Sequence, residues 1–216
     1  MQLAFDLDLP AEAAPTVKRA RGAAGAVRQG RAEQLSLPGL PPAPIAPLFL
    51  AVCPDTDASE EIDWRIVPEI ANAIAGEIDV VPWECRHISL LGFGRFDQVA
   101  PAQIDKLDAR LQALNVPTFA VGFDRLMTFG PRGAVVLTGL DCIGSLRDFQ
   151  GRICETLQLP PHFRNFTPHM TIAYARRMVP QREIGLISWQ VRELRLIHSL
   201  RKPYRHVIKA RWPLAA

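Results

Sequence analysis

Several features that would place this chain in a common class are missing from its sequence. Its 216 residues contain no apolar run near the roughly 20 residues that a membrane-spanning helix needs, so we expect no membrane protein. The N-terminus lacks the basic start and apolar stretch of a secretory signal, which predicts a cytoplasmic location. The four cysteines show no C-x-x-C spacing, and we interpret them as reduced thiols rather than a zinc site or a disulfide framework.

Acidic residues are scarce in the last quarter of the chain. Residues 164–216 carry eleven Lys or Arg against two acidic residues, whereas residues 48–163 carry nine against sixteen. A basic segment of this kind favours an anionic partner such as nucleic acid. A basic face that only keeps the protein soluble is the alternative.

The first part of the chain differs in composition from the rest. Residues 1–47 are rich in proline and alanine and show no sustained amphipathic period, so we predict a disordered tail. Residues 48–216 are predicted to form the folded domain, which we expect to be a monomer.

The folded part mixes strand and helix patterns without regular alternation. Helices are predicted over 61–78, 101–114 and 145–159, where apolar residues recur at helical spacing, with Pro68 kinking the first helix or ending its first turn. Strands are predicted at the segments 48–53, 84–93, 117–124, 133–140, 168–175, 190–200 and 204–212. Strands that follow one another directly favour an α+β fold with antiparallel sheets over a doubly wound parallel sheet.

Two short tetrads carry the chemistry: "HISL" at 87–90 and "HMTI" at 169–172. Residues i and i+2 of a strand share a face, so His87 lies beside Ser89, and His169 lies beside Thr171. The other two residues of each tetrad are aliphatic or Met and would enter the core. Each tetrad therefore offers one imidazole and one hydroxyl on the same side of a strand.

Other site types fit the sequence less well. Two imidazoles without a carboxylate at ligand spacing do not make a catalytic zinc site, and nothing resembles the G-x-S-x-G of a serine hydrolase. A single histidine on a strand is more often an ordinary structural residue. We place His162, His198 and His206 in that class because none of them begins such a tetrad.

The paired tetrads resemble those of the 2H phosphoesterase superfamily, and most closely its bacterial 2′-5′ RNA ligase and RNA 2′,3′-cyclic phosphodiesterase branch. The resemblance runs over residues 48–214 and includes the segment 121–140 and the closing segment 194–214, with Ser199 and Tyr204. It implies two lobes, each an antiparallel sheet with flanking helices, around a central groove that contains His87 and His169.

The resemblance also implies a mechanism without metal or cofactor. One imidazole takes a proton from water that attacks a 2′,3′-cyclic phosphate, and the other donates a proton to the departing ribose oxygen. In reverse, the same pair joins a cyclic end to a 5′-hydroxyl. Ser89 and Thr171 would bind the phosphate oxygens. We take His87 as the acid and His169 as the base, although the sequence does not decide between them.

The chain departs from the family pattern beside both tetrads. Relatives often carry an aromatic residue five positions after the first histidine, where this chain has Gly92, and an arginine five positions after the second, where it has Tyr174. The substrate contacts that we predict in their place are Phe93, Tyr174, Arg176 and Tyr204, with Phe129 as a further candidate for stacking on a base.

Three alternatives stay open at this point. The same chemistry could act on small cyclic nucleotides or 2′-5′ oligonucleotides, or the chain could be an RNA-binding module that has lost the chemistry. "QLSLPGL", from Gln34 to Leu40, resembles the peptide by which bacterial DNA-processing proteins dock on the sliding clamp, which would make the clamp a partner.

Overall fold

The computed structural model describes residues 47–74, 78–130, 133–139, 143–160, 166–201 and 204–215. The predicted tail lies outside these residues except for Pro47, which begins the first strand, and so do the predicted clamp peptide and His162. The described strands are β1 (Pro47–Val52), β2 (Ile78–Val80), β3 (Ile88–Arg95), β4 (Phe119–Phe129), β5 (Ala134–Thr138), β6 (Met170–Ala175), β7 (Arg182–Val191), β8 (Glu193–Arg201) and β9 (Tyr204–Pro213). The described α-helices are α1 (Thr56–Glu61), α2 (Val67–Ile74), α3 (Pro101–Leu111) and α4 (Gly144–Thr156).

The first helical region is longer at its start than the periodicity predicts. It begins after Asp55, whose side chain accepts a hydrogen bond from the Ala58 N–H at 2.9 Å and so caps α1. A π-helical turn at Ile62–Ile66 joins α1 to α2. Pro68 follows this turn and has no N–H to donate, and its ring crowds the carbonyl four residues earlier. The wider turn before the proline accommodates this, and the helix continues past Pro68 to Ile74.

The strands form two antiparallel sheets, which confirms the predicted α+β fold. The first sheet has the order β3-β1-β8-β9, and the second has the order β2-β6-β5-β4-β7. The segment 190–200, predicted as one strand, is divided between the sheets at Arg192. The sequence did not reveal β2, which has only three residues, or the first half of β7, whose edge position leaves its residues too exposed for a clear apolar alternation.

One hydrophobic core joins the two sheets and the helices. From β1, Leu48, Leu50 and Val52 enter this core, whereas Phe49 and Ala51 point to the opposite face and form a small separate cluster with Ile197. The first sheet is therefore apolar on both faces near β1, and the small cluster lies under the first tetrad.

Candidate active site

The first tetrad lies where the chain enters the edge strand of the first sheet. A 3-10 turn at Trp83–Cys85 leads into His87, and β3 starts at the next residue. Ile88 and Leu90 are buried, while Ser89 between them is exposed. The predicted division of the tetrad into an aliphatic side and a hydroxyl side is present.

The strand then departs from simple alternation at the end of the tetrad. Leu50 of β1 pairs with Leu91, but the next residue, Ala51, pairs with Ser89, so Leu90 is an extra residue in β3. The second tetrad has the same irregularity, since Val135 of β5 pairs with Ala173 and Val136 pairs with Thr171. The extra residue there is Ile172.

These two bulges decide which side chains accompany each histidine. Because of the extra residue, the fifth residue after each histidine lies on the same side of the strand as the histidine. The fourth and sixth residues lie on the other side. We call the side with the histidine the histidine face; it carries His87, Ser89 and Gly92 in the first sheet and His169, Thr171 and Tyr174 in the second. Gly92 and Tyr174 are both exposed there.

The bulge corrects one predicted substrate contact. An uninterrupted alternation would place Phe93 on the side of His87, as the sequence analysis assumed. Phe93 is instead 6% exposed and packs in the main core. Its ring therefore cannot stack on a base at the histidine face. Gly92 takes its place on that face, and a Cβ added to Gly92 would meet nothing within 4 Å.

The two histidines are held by the same local hydrogen bond. The Nδ1 atom of His87 lies 2.8 Å from the Cys85 carbonyl, and the Nδ1 atom of His169 lies 2.8 Å from the Thr167 carbonyl, each two residues earlier. A carbonyl only accepts, so Nδ1 carries the proton in both rings. Each Nε2 is thereby left as the atom that takes or gives a proton.

Aromatic rings support both imidazoles from the sheet beneath. The His87 ring stacks on Phe49 with centroids 4.7 Å apart, and Phe49 pairs with Gly92 across the strands. The His169 ring lies 5.1 Å from the ring of Phe129. Phe129 therefore has a supporting position under the histidine, and the two half-sites repeat one design in two sheets.

The first half-site has one further group that the sequence did not reveal. His206 of β9 lies edge-on to His87, with ring centroids 4.8 Å apart. Burial, and then the proximity of His87, lower the pKa of His206 to about 4. The sequence offered no signal for this contact because His206 stands outside any tetrad and reaches the site only through strand pairing.

The electrostatic environment of His87 favours its neutral form. Burial lowers its pKa most, the hydrogen bond to the Cys85 carbonyl opposes this, and the nearby charge of His169 lowers the pKa further. The strands that these histidines lead into, β3 and β6, contact each other although they belong to different sheets. A neutral imidazole near a second imidazole is the arrangement that acid–base catalysis requires.

A buried arginine supports the corner that carries His87. Arg86 is 1% exposed, and its Nη1 donates to the Ser59 carbonyl at 2.8 Å. Its Nη2 forms an ion pair with Asp63 of the π-helical turn. These contacts tie the start of β3 to the first helical region and so fix where His87 leaves the turn.

Two predicted contacts lie at different distances from this centre. Tyr204 is 40% exposed and lies on the same side of β9 as His206. The ring centroids of Tyr204 and His206 are 6.0 Å apart. Arg176 follows the end of β6, seven residues after His169, which at about 3.3 Å per residue is on the order of 20 Å away. This position suits a contact with a part of the substrate beyond the phosphate.

The described residues show no group of three or more His, Cys, Asp or Glu side chains that could hold a metal ion. Among the helices of the described ranges, none is long and apolar enough to cross a membrane.

Comparison with known proteins agrees with this geometry. The family model for the 2′-5′ RNA ligase superfamily matches residues 80–203, a stretch that contains both tetrads and the bulged strands. The chain belongs to the 2′-5′ RNA ligase superfamily. Family and fold together support a 2H phosphoesterase or 2′-5′ RNA ligase-like activity. No curated protein matches the sequence.

Several solved structures share the fold of this chain at low sequence identity. Escherichia coli LigT complexed with 3′-AMP is 20% identical with a TM-score of 0.62, and the match covers 80% of this chain and 100% of that one. A structure described as a phosphoesterase is 21% identical with a TM-score of 0.63 and the same coverage. The protein TT0787 of Thermus thermophilus is 18% identical with a TM-score of 0.58, over 77% of this chain and 97% of that one. These matches confirm the predicted 2H phosphoesterase fold.

Proposed function

We propose that this protein opens 2′,3′-cyclic phosphate ends of RNA to 2′-phosphates, without a metal, using His87 and His169 as its acid–base pair. The observation that carries the proposal is the matched environment of the two rings. Each has Nδ1 bonded to a backbone carbonyl, Nε2 available, and a hydroxyl residue on the same side of the strand. The basic closing segment supports an anionic polymer as the substrate.

The reaction needs one neutral and one protonated imidazole. The neutral ring takes a proton from water as the water oxygen bonds to phosphorus. The bond from phosphorus to the ribose O3′ breaks, and the protonated ring gives its proton to that oxygen, which leaves a 2′-phosphate and a 3′-hydroxyl. Ser89 and Thr171 donate hydrogen bonds to the non-bridging oxygens, where negative charge increases. With a 5′-hydroxyl in place of water, the same displacement of O3′ forms a 2′-5′ link.

The structure supports a role for each ring that is opposite to our assignment from the sequence. The lowered pKa of His87 keeps this ring neutral in the free protein, which suits the base. His169 is then the acid. A substrate with sulfur in place of O3′ tests this, because a thiolate leaves without protonation. His169→Ala should regain most of its lost rate on the sulfur substrate, and His87→Ala should not; the opposite pattern would reverse the roles.

The activity itself is tested with a short RNA that ends in a 2′,3′-cyclic phosphate, incubated with EDTA. Wild type should produce a 2′-phosphate, and His87→Ala and His169→Ala should each lose about 10²–10⁴ in rate. His198→Ala is the matched control, because this histidine of β8 stacks on Phe96, away from the pair. Circular dichroism would show that all variants are folded.

The other outcomes separate the alternatives. Turnover of small cyclic nucleotides or 2′-5′ oligonucleotides, with no preference for longer RNA, would replace RNA as the substrate class. RNA binding that is unaffected by His87→Ala, with no turnover by wild type of any of these substrates, would leave only the binding module.

A further inference from the structure

The two half-sites differ in how closely their histidine is enclosed. His87 lies between two rings, since Phe49 stacks beneath it at 4.7 Å and His206 stands edge-on to it at 4.8 Å. Phe49 and His206 also contact each other, at 5.7 Å between centroids. The ring contact described for His169 is that with Phe129, at 5.1 Å. The histidine of the first sheet is therefore held in a closed group of three rings.

His206 is linked to the first half-site by its backbone as well as by its ring. Burial raises the pKa of the Cys85 thiol, the nearby His206 backbone opposes this, and the Cys85 carbonyl holds Nδ1 of His87. One residue of β9 therefore contacts the His87 ring directly and also the residue that orients that ring. In β9, His206 pairs with Ser199 of β8, which fixes its height along the sheet.

The imidazole of His206 is an unusual choice for a wall of this kind. Both of its ring nitrogens are buried and have no hydrogen-bond partner among the described residues. An unpaired buried polar atom is a cost to stability that natural proteins usually avoid unless the site needs it. The His206 ring nevertheless covers part of the His87 ring, and this burial is the largest cause of the lowered pKa of His87.

We propose that His206 is a positioning residue for His87: its ring closes the group of three rings, fixes the orientation of the His87 imidazole and shields it from water. Shielding favours the neutral form of His87, which the proposed role of base requires. The groups that face this pair are His169 just before β6, the Cys85 sulfur from the 3-10 turn and Tyr204 from β9. His206 stays neutral itself, so it adds no charge beside the base. The inference rests on the proposed function for its catalytic meaning.

The test follows the titration of His87 by NMR in wild type, His206→Ala and His206→Phe, with His87→Ala to assign the signal. In wild type, His87 should titrate below its ordinary value of about 6.5. His206→Ala opens the ring to water and should move the midpoint up toward that value. His206→Phe restores a ring of similar size and should return the midpoint to that of wild type.

Kinetics give the second readout. If the base titrates near 6.5 in His206→Ala, kcat/KM should fall about tenfold between pH 7.5 and 5.5, with a smaller fall in wild type and in His206→Phe. His198→Ala, outside the ring group, should leave the His87 midpoint unchanged. An unchanged midpoint in His206→Ala would overturn the inference, and so would a midpoint in His206→Phe that matches the alanine variant. Absence of turnover in all proteins would instead overturn the proposed function, because the NMR titration does not depend on a substrate.

Discussion

Replacing Arg86 by methionine tests whether the corner before β3 is held by a buried guanidinium. The Ser59 carbonyl, in a residue that is 3% exposed, would lose its charged donor. This carbonyl keeps the Ile62 N–H as a donor, and a hydrogen bond from a charged group is worth about 1.5–3 kcal/mol. The ion-pair partner, Asp63, is 49% exposed, so water replaces much of that contact and its loss adds about 0.2–1 kcal/mol. Methionine retains the packing of the aliphatic part of the side chain.

The expected loss in the free energy of unfolding is therefore about 2–3 kcal/mol. With a urea m value of about 2 kcal/mol per molar, the unfolding midpoint should fall by about 1 M. Asp63→Asn should show a smaller effect, because it leaves the bond to Ser59 intact. Arg95→Met is the matched control: its partner is the exposed Asp97, so its midpoint should stay close to that of wild type.

The same variant should also lose activity at a temperature where it is fully folded. His87 follows Arg86 directly, and a misplacement of about 1 Å in a catalytic group can cost roughly 10² in rate. Cyclic phosphate turnover and urea unfolding are measured on the same samples. A midpoint for Arg86→Met equal to that of Arg95→Met would refute the estimate from buried contacts. A stability loss without any change in kcat would show that this corner does not position His87.

Three further predictions concern the histidine face. Because the pKa of His206 falls to about 4 on folding, protonation of this residue in the unfolded chain lowers the stability of the protein as the pH falls from about 6.5 toward 4. Between pH 7.5 and 5, the free energy of unfolding of wild type should therefore fall by roughly 2 kcal/mol more than that of His206→Phe. Equal losses in urea unfolding would contradict this prediction. Gly92→Tyr adds a ring in open space at the position equivalent to Tyr174, so the melting temperature should stay the same. One stacking contact with a base, worth about 1 kcal/mol, should lower KM for the RNA about fivefold. An unchanged KM would argue against base stacking at this position. Thr171→Val should reduce kcat by about 10²–10³ with little effect on stability, because it removes a donor to the phosphate. Thr128→Val, which removes the acceptor for the Val179 N–H, should instead lower stability and leave kcat unchanged. The same kcat for both variants would exclude the phosphate contact of Thr171.

The tetrads show how far local pattern reaches. Within each tetrad the alternation of faces is a property of the extended chain itself, so His87 and Ser89 could be placed together from the sequence. The buried Ile88 and Leu90 agree with that prediction. The α+β class with antiparallel sheets follows in the same way, from apolar periodicity and from strands that succeed one another directly.

The residues just beyond each tetrad show where local pattern fails. A bulge depends on how a strand pairs with its neighbour, and the partner strand of β3 lies about forty residues earlier in the chain. The sequence alone therefore placed Phe93 on the histidine face. Pairing with β1 turns Phe93 into the core and leaves Gly92 in its place.

The fold class, the two histidines with their hydroxyl neighbours and the family could all be predicted from the sequence. These depend on residue type and on spacing within a single strand. The surroundings of His87 depend on the folded structure, which places Phe49 beneath it, His206 beside it and Arg86 behind it. The physical reason is that the burial and the charges that set the pKa of His87 come from segments far apart in the chain, which meet only when the sheets form.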